Sequence, residues 1–66
     1  MKRFNDKLQM RIEAQACRVL GWNQNLEQTI GLFMFENNLF YDETVIRFNQ
    51  AITDIKKLNK IRGIFK

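Results

Sequence analysis

Apolar residues recur at intervals of three and four along almost the whole chain, and no proline interrupts them. Phe4, Leu8, Ile12, Ala16, Val19 and Leu20 draw one stripe, the spacing of a helix with a single face turned to a core. Leu26, Ile30, Phe33 and Met34 draw a second, and Val45, Phe48, Ala51, Ile52, Ile55 and Leu58 a third. No segment sustains the period-two alternation of a half-buried strand. The sequence therefore predicts an all-α fold, a small three-helix bundle or bent helical hairpin. Its helices fall near 5–20, 25–37 and 43–60, with a basic C-terminal tail over 61–66. The expected core is Leu8, Ile12, Val19, Leu26, Ile30, Phe33, Phe48, Ile52 and Ile55.

Punctuation residues set the boundaries. Asn5 is the expected N-cap of the first helix, with Asp6 favourable to its dipole, and Gly21 its C-terminal stop. Asn25 followed by Gln28 has the form of a capping box, and Asn37–Asn38 ends the second helix. Leu39–Phe40–Tyr41 reads as an extended connection that tucks its rings under the core. Asp42 is the expected N-cap of the third helix, with Glu43 in its first turn and Tyr41 stapled against Ile46. Arg47, Gln50, Asp54 and Lys57 lie opposite the third stripe, on the expected solvent face. Ile61 falls off that stripe, which predicts a bend near Asn59, and Gly63 is the expected stop.

A chain of 66 residues makes one domain at most, burying only ~60% of its unfolded surface. Such a core is marginal, so a partner or self-association is expected. The longest apolar run is Leu32–Phe35, far below the ~20 residues of a membrane span. Met1–Lys2–Arg3 is not followed by the apolar stretch of a signal peptide, which points to the cytoplasm. Cys17 is the only cysteine and reads as a small buried or half-buried residue.

The chain contains no His and no Ser, so the usual nucleophile–base pairs cannot be assembled. One Cys and scattered carboxylates match no metal-ligand spacing, and the isolated Gly21, Gly31 and Gly63 form no phosphate-cradling loop. Asp42–Glu43, the one adjacent acid pair, is explained by a helix start. The expectation is a protein that is not an enzyme, with no cofactor, metal or small-molecule substrate.

Three features bear on partners. The first is a segregation of charge, with Lys2, Arg3 and Lys7 near one end and Lys56, Lys57, Lys60, Arg62 and Lys66 at the other. Between them lies an acidic body, and the net charge is +4. These bases are the candidates for sequence-tolerant contact with nucleic acid phosphates. Ile61, Ile64 and Phe65 beside them give a weaker case for a membrane surface.

The second feature is a helix-turn-helix-like pattern, Glu13, Cys17, Leu20, Gly21 and Gln24. It fails the chemistry. The buried apolar position six beyond the glycine is Glu27, and no Lys or Arg occurs between Arg18 and Arg47 to reach bases or phosphates.

The third feature is a surplus of apolar groups off the inward stripes: Leu32 and Phe35 on the second helix, Met10 and Cys17 on the first, and Ile46 on the third. Leu32, Phe35, Met10 and Ile46 are the candidates for a protein or homodimer interface. The leading expectation is thus a small interaction module, a regulator or inhibitor docking on a protein or nucleoprotein. The abundance of Asn, Ile, Lys and Phe points to an AT-rich coding sequence of the kind common among phages, mobile elements and low-GC bacteria. A phage- or mobile-element-type regulator is therefore the form expected. A nucleic-acid binder using the basic ends is the alternative.

Overall fold

The computed structural model describes residues 3–64, with side chains described as far as residue 59. It contains three helices and, among the described residues, no strand: α1 (Lys7–Trp22), α2 (Leu26–Asn37) and α3 (Tyr41–Ile64). The all-α, three-helix expectation is met, and the helix ends show where local chemistry prevails over the simpler signals.

Asp6, not Asn5, caps α1, with its Oδ1 accepting from the Gln9 N–H at 2.9 Å. Gly21 does not stop α1. The helix passes through it and ends at Asn23, whose φ of 56° is the left-handed conformation that Asn tolerates better than most residues. The Leu20–Gly21 pair thus lies inside a helix, which removes the turn from the helix-turn-helix-like pattern. Asn25 caps α2 as expected, accepting from the Gln28 N–H at 2.9 Å. Asn38 closes α2 in the left-handed region, and the Leu39 N–H returns to the Met34 carbonyl at 3.1 Å. This is a Schellman-type ending, and it brings Leu39 back against the core.

The third helix differs most from its forecast. It starts at Tyr41, so Asp42 sits in the first turn and is not the cap. The Phe40 carbonyl accepts from both the Thr44 N–H (3.1 Å) and the Thr44 hydroxyl (2.7 Å). Tyr41 and Ile46 form no buried staple, because both are exposed. At the other end α3 runs without a break past Asn59 and Gly63 to Ile64. At 24 residues it is about 36 Å long and acts as the spine of the molecule.

Helices α1 and α3 advance in the same direction. The Gln9 side chain meets the Arg47 carbonyl near their starts, and Cys17 and Leu20 share a shallow groove with Ile55 and Asn59 further on. The core between the helices holds Ile12, Ala16, Ile30, Phe33, Phe48 and Ala51, with Val19 also buried. Phe33 meets Phe48 edge to face, their centroids 5.7 Å apart. Ala16 and Ala51, both fully buried, let α1 and α3 approach closely. Leu8, Leu26, Ile52 and Ile55, forecast as core, are half-buried around this nucleus. Leu20 and Leu58, at the margins of their stripes, are exposed. The body measures 40 × 28 × 17 Å, so it is thin in one direction and its single core layer is small.

Arg47, forecast on the solvent face, is instead buried, with its side chain only 7% exposed. The segment before α1 covers it. The guanidinium donates to both Asp6 carboxylate oxygens, at 2.8 and 3.1 Å, and lies 4.1 Å from the Phe4 ring centroid. Glu43 adds a longer contact at 3.7 Å. Gln50 holds the Phe4 main chain from both sides, accepting from its N–H at 3.0 Å and donating to its carbonyl at 2.8 Å. Arg3 then pairs with Asp54 at 2.6 Å. Residues 47, 50 and 54 share one face of α3, so an extended segment is fastened along a single ridge.

Two predictions follow from this packing. Phe48→Ala should cost about 3–5 kcal/mol, against about 2 kcal/mol or less for half-buried Ile52→Ala. Urea unfolding monitored by circular dichroism measures both. The second concerns acid. Hydrogen bonds from the Arg47 guanidinium, then from the Gln9 N–H, pull the Asp6 carboxyl from 3.8 down to about 2. A lowered carboxylate stabilises the fold above its ordinary value, and that contribution is lost as pH falls through the lowered one. The gap in melting temperature between wild type and Asp6→Asn should hold steady from neutral pH to about 5, then close by about pH 2.

Candidate protein-docking face

Each turn of α2 divides cleanly between inside and outside. At about 100° per residue, Leu26, Ile30, Phe33 and Asn37 fall on one side, and Gln28, Gly31, Leu32 and Phe35 on the other. The inner set is held by the core: Ile30 and Phe33 are buried, and Asn37 donates to the Phe33 carbonyl at 3.0 Å. This fixes the rotation of the helix and turns Leu32 and Phe35 outward. Leu32 is 57% exposed and Phe35 is 88% exposed. Phe40 (84%) and Tyr41 (62%) follow at the corner between α2 and α3. Together these residues leave a run of large apolar groups in water between positions 32 and 41.

Phe40 and Tyr41 were expected under the core, and the structure places them outside it. The cause is the early start of α3. With Tyr41 already helical, only Leu39 of that trio lies against the core. Periodicity alone does not reveal this, since Tyr41 is seven residues before Phe48 and falls on the same stripe; its place beside Asp42 and Glu43 in a solvent-reached first turn is the signal. Cys17 is a parallel correction. It is exposed, at the edge of the groove it shares with Leu20, Gly21, Ile55 and Asn59.

The other interface candidates do not join the α2 face. Met10 is exposed on α1, and Ile46 lies in a groove of α3 with Arg3, Asn49, Thr53 and Lys57. Of the basic candidates, Arg3 and Lys57 line that same groove, and Lys7 and Lys56 do not. Arg3 is neutralised by Asp54, and Lys7 begins α1 at the level of Arg47. Exposed Lys56 and Lys57 lie about ten residues further along α3, roughly 15 Å away. The side chains of Lys60 and Arg62, and with them Ile61 and Ile64, lie outside the described residues, as do Lys2, Phe65 and Lys66.

Along the sequence, the charge of α2 and its flanks has one sign. Residues 19–46 contain Glu27, Glu36, Asp42 and Glu43 and no Lys or Arg. Glu27 and Glu36 flank the Leu32–Phe35 strip on opposite sides, and both are exposed. Two bases of α1 face α2. Arg18 lines a shallow groove between α1 and α2 with Gln15, Thr29, Leu32 and Glu36, its guanidinium 5.8 Å from the Trp22 ring centroid, and the Arg11 guanidinium lies 6.0 Å from the Phe33 ring centroid.

Among the described residues no group of three His, Cys, Asp or Glu side chains is placed to hold a metal ion, and no helix is long and apolar enough to cross a membrane. The arrangement offers an apolar ridge with acidic borders. Replacing Leu32 and Phe35 together by Gln should leave helicity unchanged and alter stability by about 0.5 kcal/mol or less per site. Phe33→Ala, one residue away on the inner side, should cost about 3–5 kcal/mol. Thermal melts of the two variants read the difference directly. Comparison with known protein families, with curated proteins and with solved structures found no match for this chain.

Proposed function

We propose that this chain is a non-catalytic interaction module, a regulator or inhibitor in type, that docks on another protein through the outer face of α2 and the adjoining aromatic corner. The observation that carries this reading is the exposure of Leu32 and Phe35 on a helix whose opposite side is already satisfied by the core. A marginal domain gains nothing in folding from aromatic groups left in water, whereas clustered exposed aromatics are the common anchors of protein interfaces. A chain without His or Ser offers no competing catalytic explanation for the same residues.

The test compares capture by the wild-type chain with capture by Leu32→Gln/Phe35→Gln. A partner identified by mass spectrometry should be retained by the first and weakened at least ~30-fold with the second, since an interface anchor is worth about 2 kcal/mol or more. Met10→Gln and Lys56→Gln/Lys57→Gln/Lys60→Gln should retain it. Equal capture by the Leu32/Phe35 variant overturns the reading. Steeply salt-dependent binding to duplex DNA, with a log–log slope reduced by about three in the lysine variant, would instead establish the nucleic-acid alternative.

A further inference from the structure

Resting on that docking reading, we infer that the occupant of the α2 face is a basic amphipathic helix of another protein. Its apolar stripe lies on Leu32 and Phe35, and its Lys or Arg flanks meet Glu27 and Glu36.

Charge narrows the partner first. An apolar strip bordered on both sides by carboxylates favours a partner whose own strip is bordered by cations, and rejects an acidic one. Glu27 stands on one border and Glu36 on the other, and Asp42 extends the same sign past the corner, where Glu43 is turned to Arg47. Arg18 and Arg11 are the opposing charges, Arg18 in one groove with Glu36 and Arg11 6.0 Å from the Phe33 ring centroid, so the border facing α1 is locally balanced while Glu27 stands on the other border. The preference therefore comes mainly from Glu27 and the corner.

Backbone chemistry narrows it again. An extended peptide gains affinity by pairing with unpaired main-chain groups, as at a sheet edge. The outer side of α2 has none, because its amides and carbonyls are committed to the helix. It presents only side-chain ridges at positions 28, 32 and 35, and a second helix is the element whose own ridges match them.

Gly31 supplies an independent observation. It lies mid-helix without positive φ, and a Cβ added there would meet nothing within 4 Å. Glycine weakens a helix interior, and here neither a turn nor internal crowding requires it. The missing side chain leaves a notch beside Phe35, one turn away on the same face, where a partner's side chain or backbone fits closely. Gly21 also has free space but stands in the last turn of α1, where its effect on helix stability is small.

The experiment uses the intact chain and three fluorescein-labelled peptides read by anisotropy. The first is an amphipathic Leu/Lys helix of about 18 residues, matching the ~18 Å of α2 with overhang. The second has the same Leu pattern with Glu for Lys, and the third is an oligolysine of equal charge. The Leu/Lys helix should bind at least ~10-fold more tightly than either, a modest share of the discrimination that charge juxtaposition at interfaces provides. Leu32→Gln/Phe35→Gln should abolish this binding, and Glu27→Gln/Glu36→Gln should narrow the gap between the Lys and Glu peptides. Gly31→Ala should raise the melting temperature yet weaken the Leu/Lys peptide several-fold, while Gly21→Ala leaves binding unchanged.

Equal binding of the Leu/Glu helix would overturn the basic partner and leave the docking face standing. Oligolysine binding that survives the Leu32/Phe35 change would reduce the effect to diffuse electrostatics and overturn the inference. Failure of both helical peptides would overturn a helical occupant, and the docking face itself would then stand or fall by the capture experiment. Sedimentation showing a dimer that Leu32→Gln/Phe35→Gln dissolves would replace the foreign helix by a second copy.

Discussion

A buried guanidinium holds the start of this fold in place. Arg47 cannot be removed from water without a counter-charge and hydrogen bonds, because breaking a buried pair costs several kcal/mol. Asp6 supplies both, and the same carboxylate accepts the Gln9 amide in the first turn of α1. One side chain thereby sets where α1 begins and ties it to α3. Phe4 closes over the guanidinium, Gln50 grips the Phe4 main chain, and Arg3 reaches Asp54. Through these contacts the chain's first described residues become part of the packed structure.

That arrangement fastens α1 to α3, and the remaining apolar surface must be read against it. The radius of gyration is 12.3 Å, above the about 10.8 Å expected of a compact domain of this length. A long α3 and a body 17 Å thick leave room for one core layer. Phe33 and Phe48 fill that layer, and small Ala16 and Ala51 close it. Among the described residues nothing covers the far side of α2, which leaves Leu32 and Phe35 exposed.

The helical periodicity was legible because it repeats along each segment and needs no long-range information. The inner residues Ile12, Ile30, Phe33 and Phe48 came directly from it. What escaped was set by pairs distant in sequence. Arg47 looks like a solvent residue on a helical wheel, and only Asp6 and Phe4, forty-odd positions away, bury it. The forecast for Phe40 and Tyr41 failed for a local reason: Asp42 is a good cap by type, but the Phe40 carbonyl and the Thr44 hydroxyl let the helix begin earlier. Leu32 and Phe35 were singled out because they fall off an otherwise regular stripe. Their surroundings, the Glu27 and Glu36 borders and the Gly31 notch, emerge only once the rotation of α2 is fixed by Ile30 and Phe33.

On the docking reading proposed above, the apolar surface that holds the fold and the apolar surface that would engage a partner are divided between the sides of one short helix. Isolated helices of twelve residues are marginal in water, so α2 owes its helicity to packing through Ile30 and Phe33. Anything that docks on its outer side and requires the helical form also opposes its unwinding. A partner bound at a concentration one hundred times its dissociation constant would add about 2.7 kcal/mol to the folded state, a large fraction of what so small a core supplies. Such coupling is reciprocal, and the free chain folds without the partner only if the docking residues contribute little to its own core. The 88% exposure of Phe35 beside the buried Phe33 is the geometry that keeps the two roles apart.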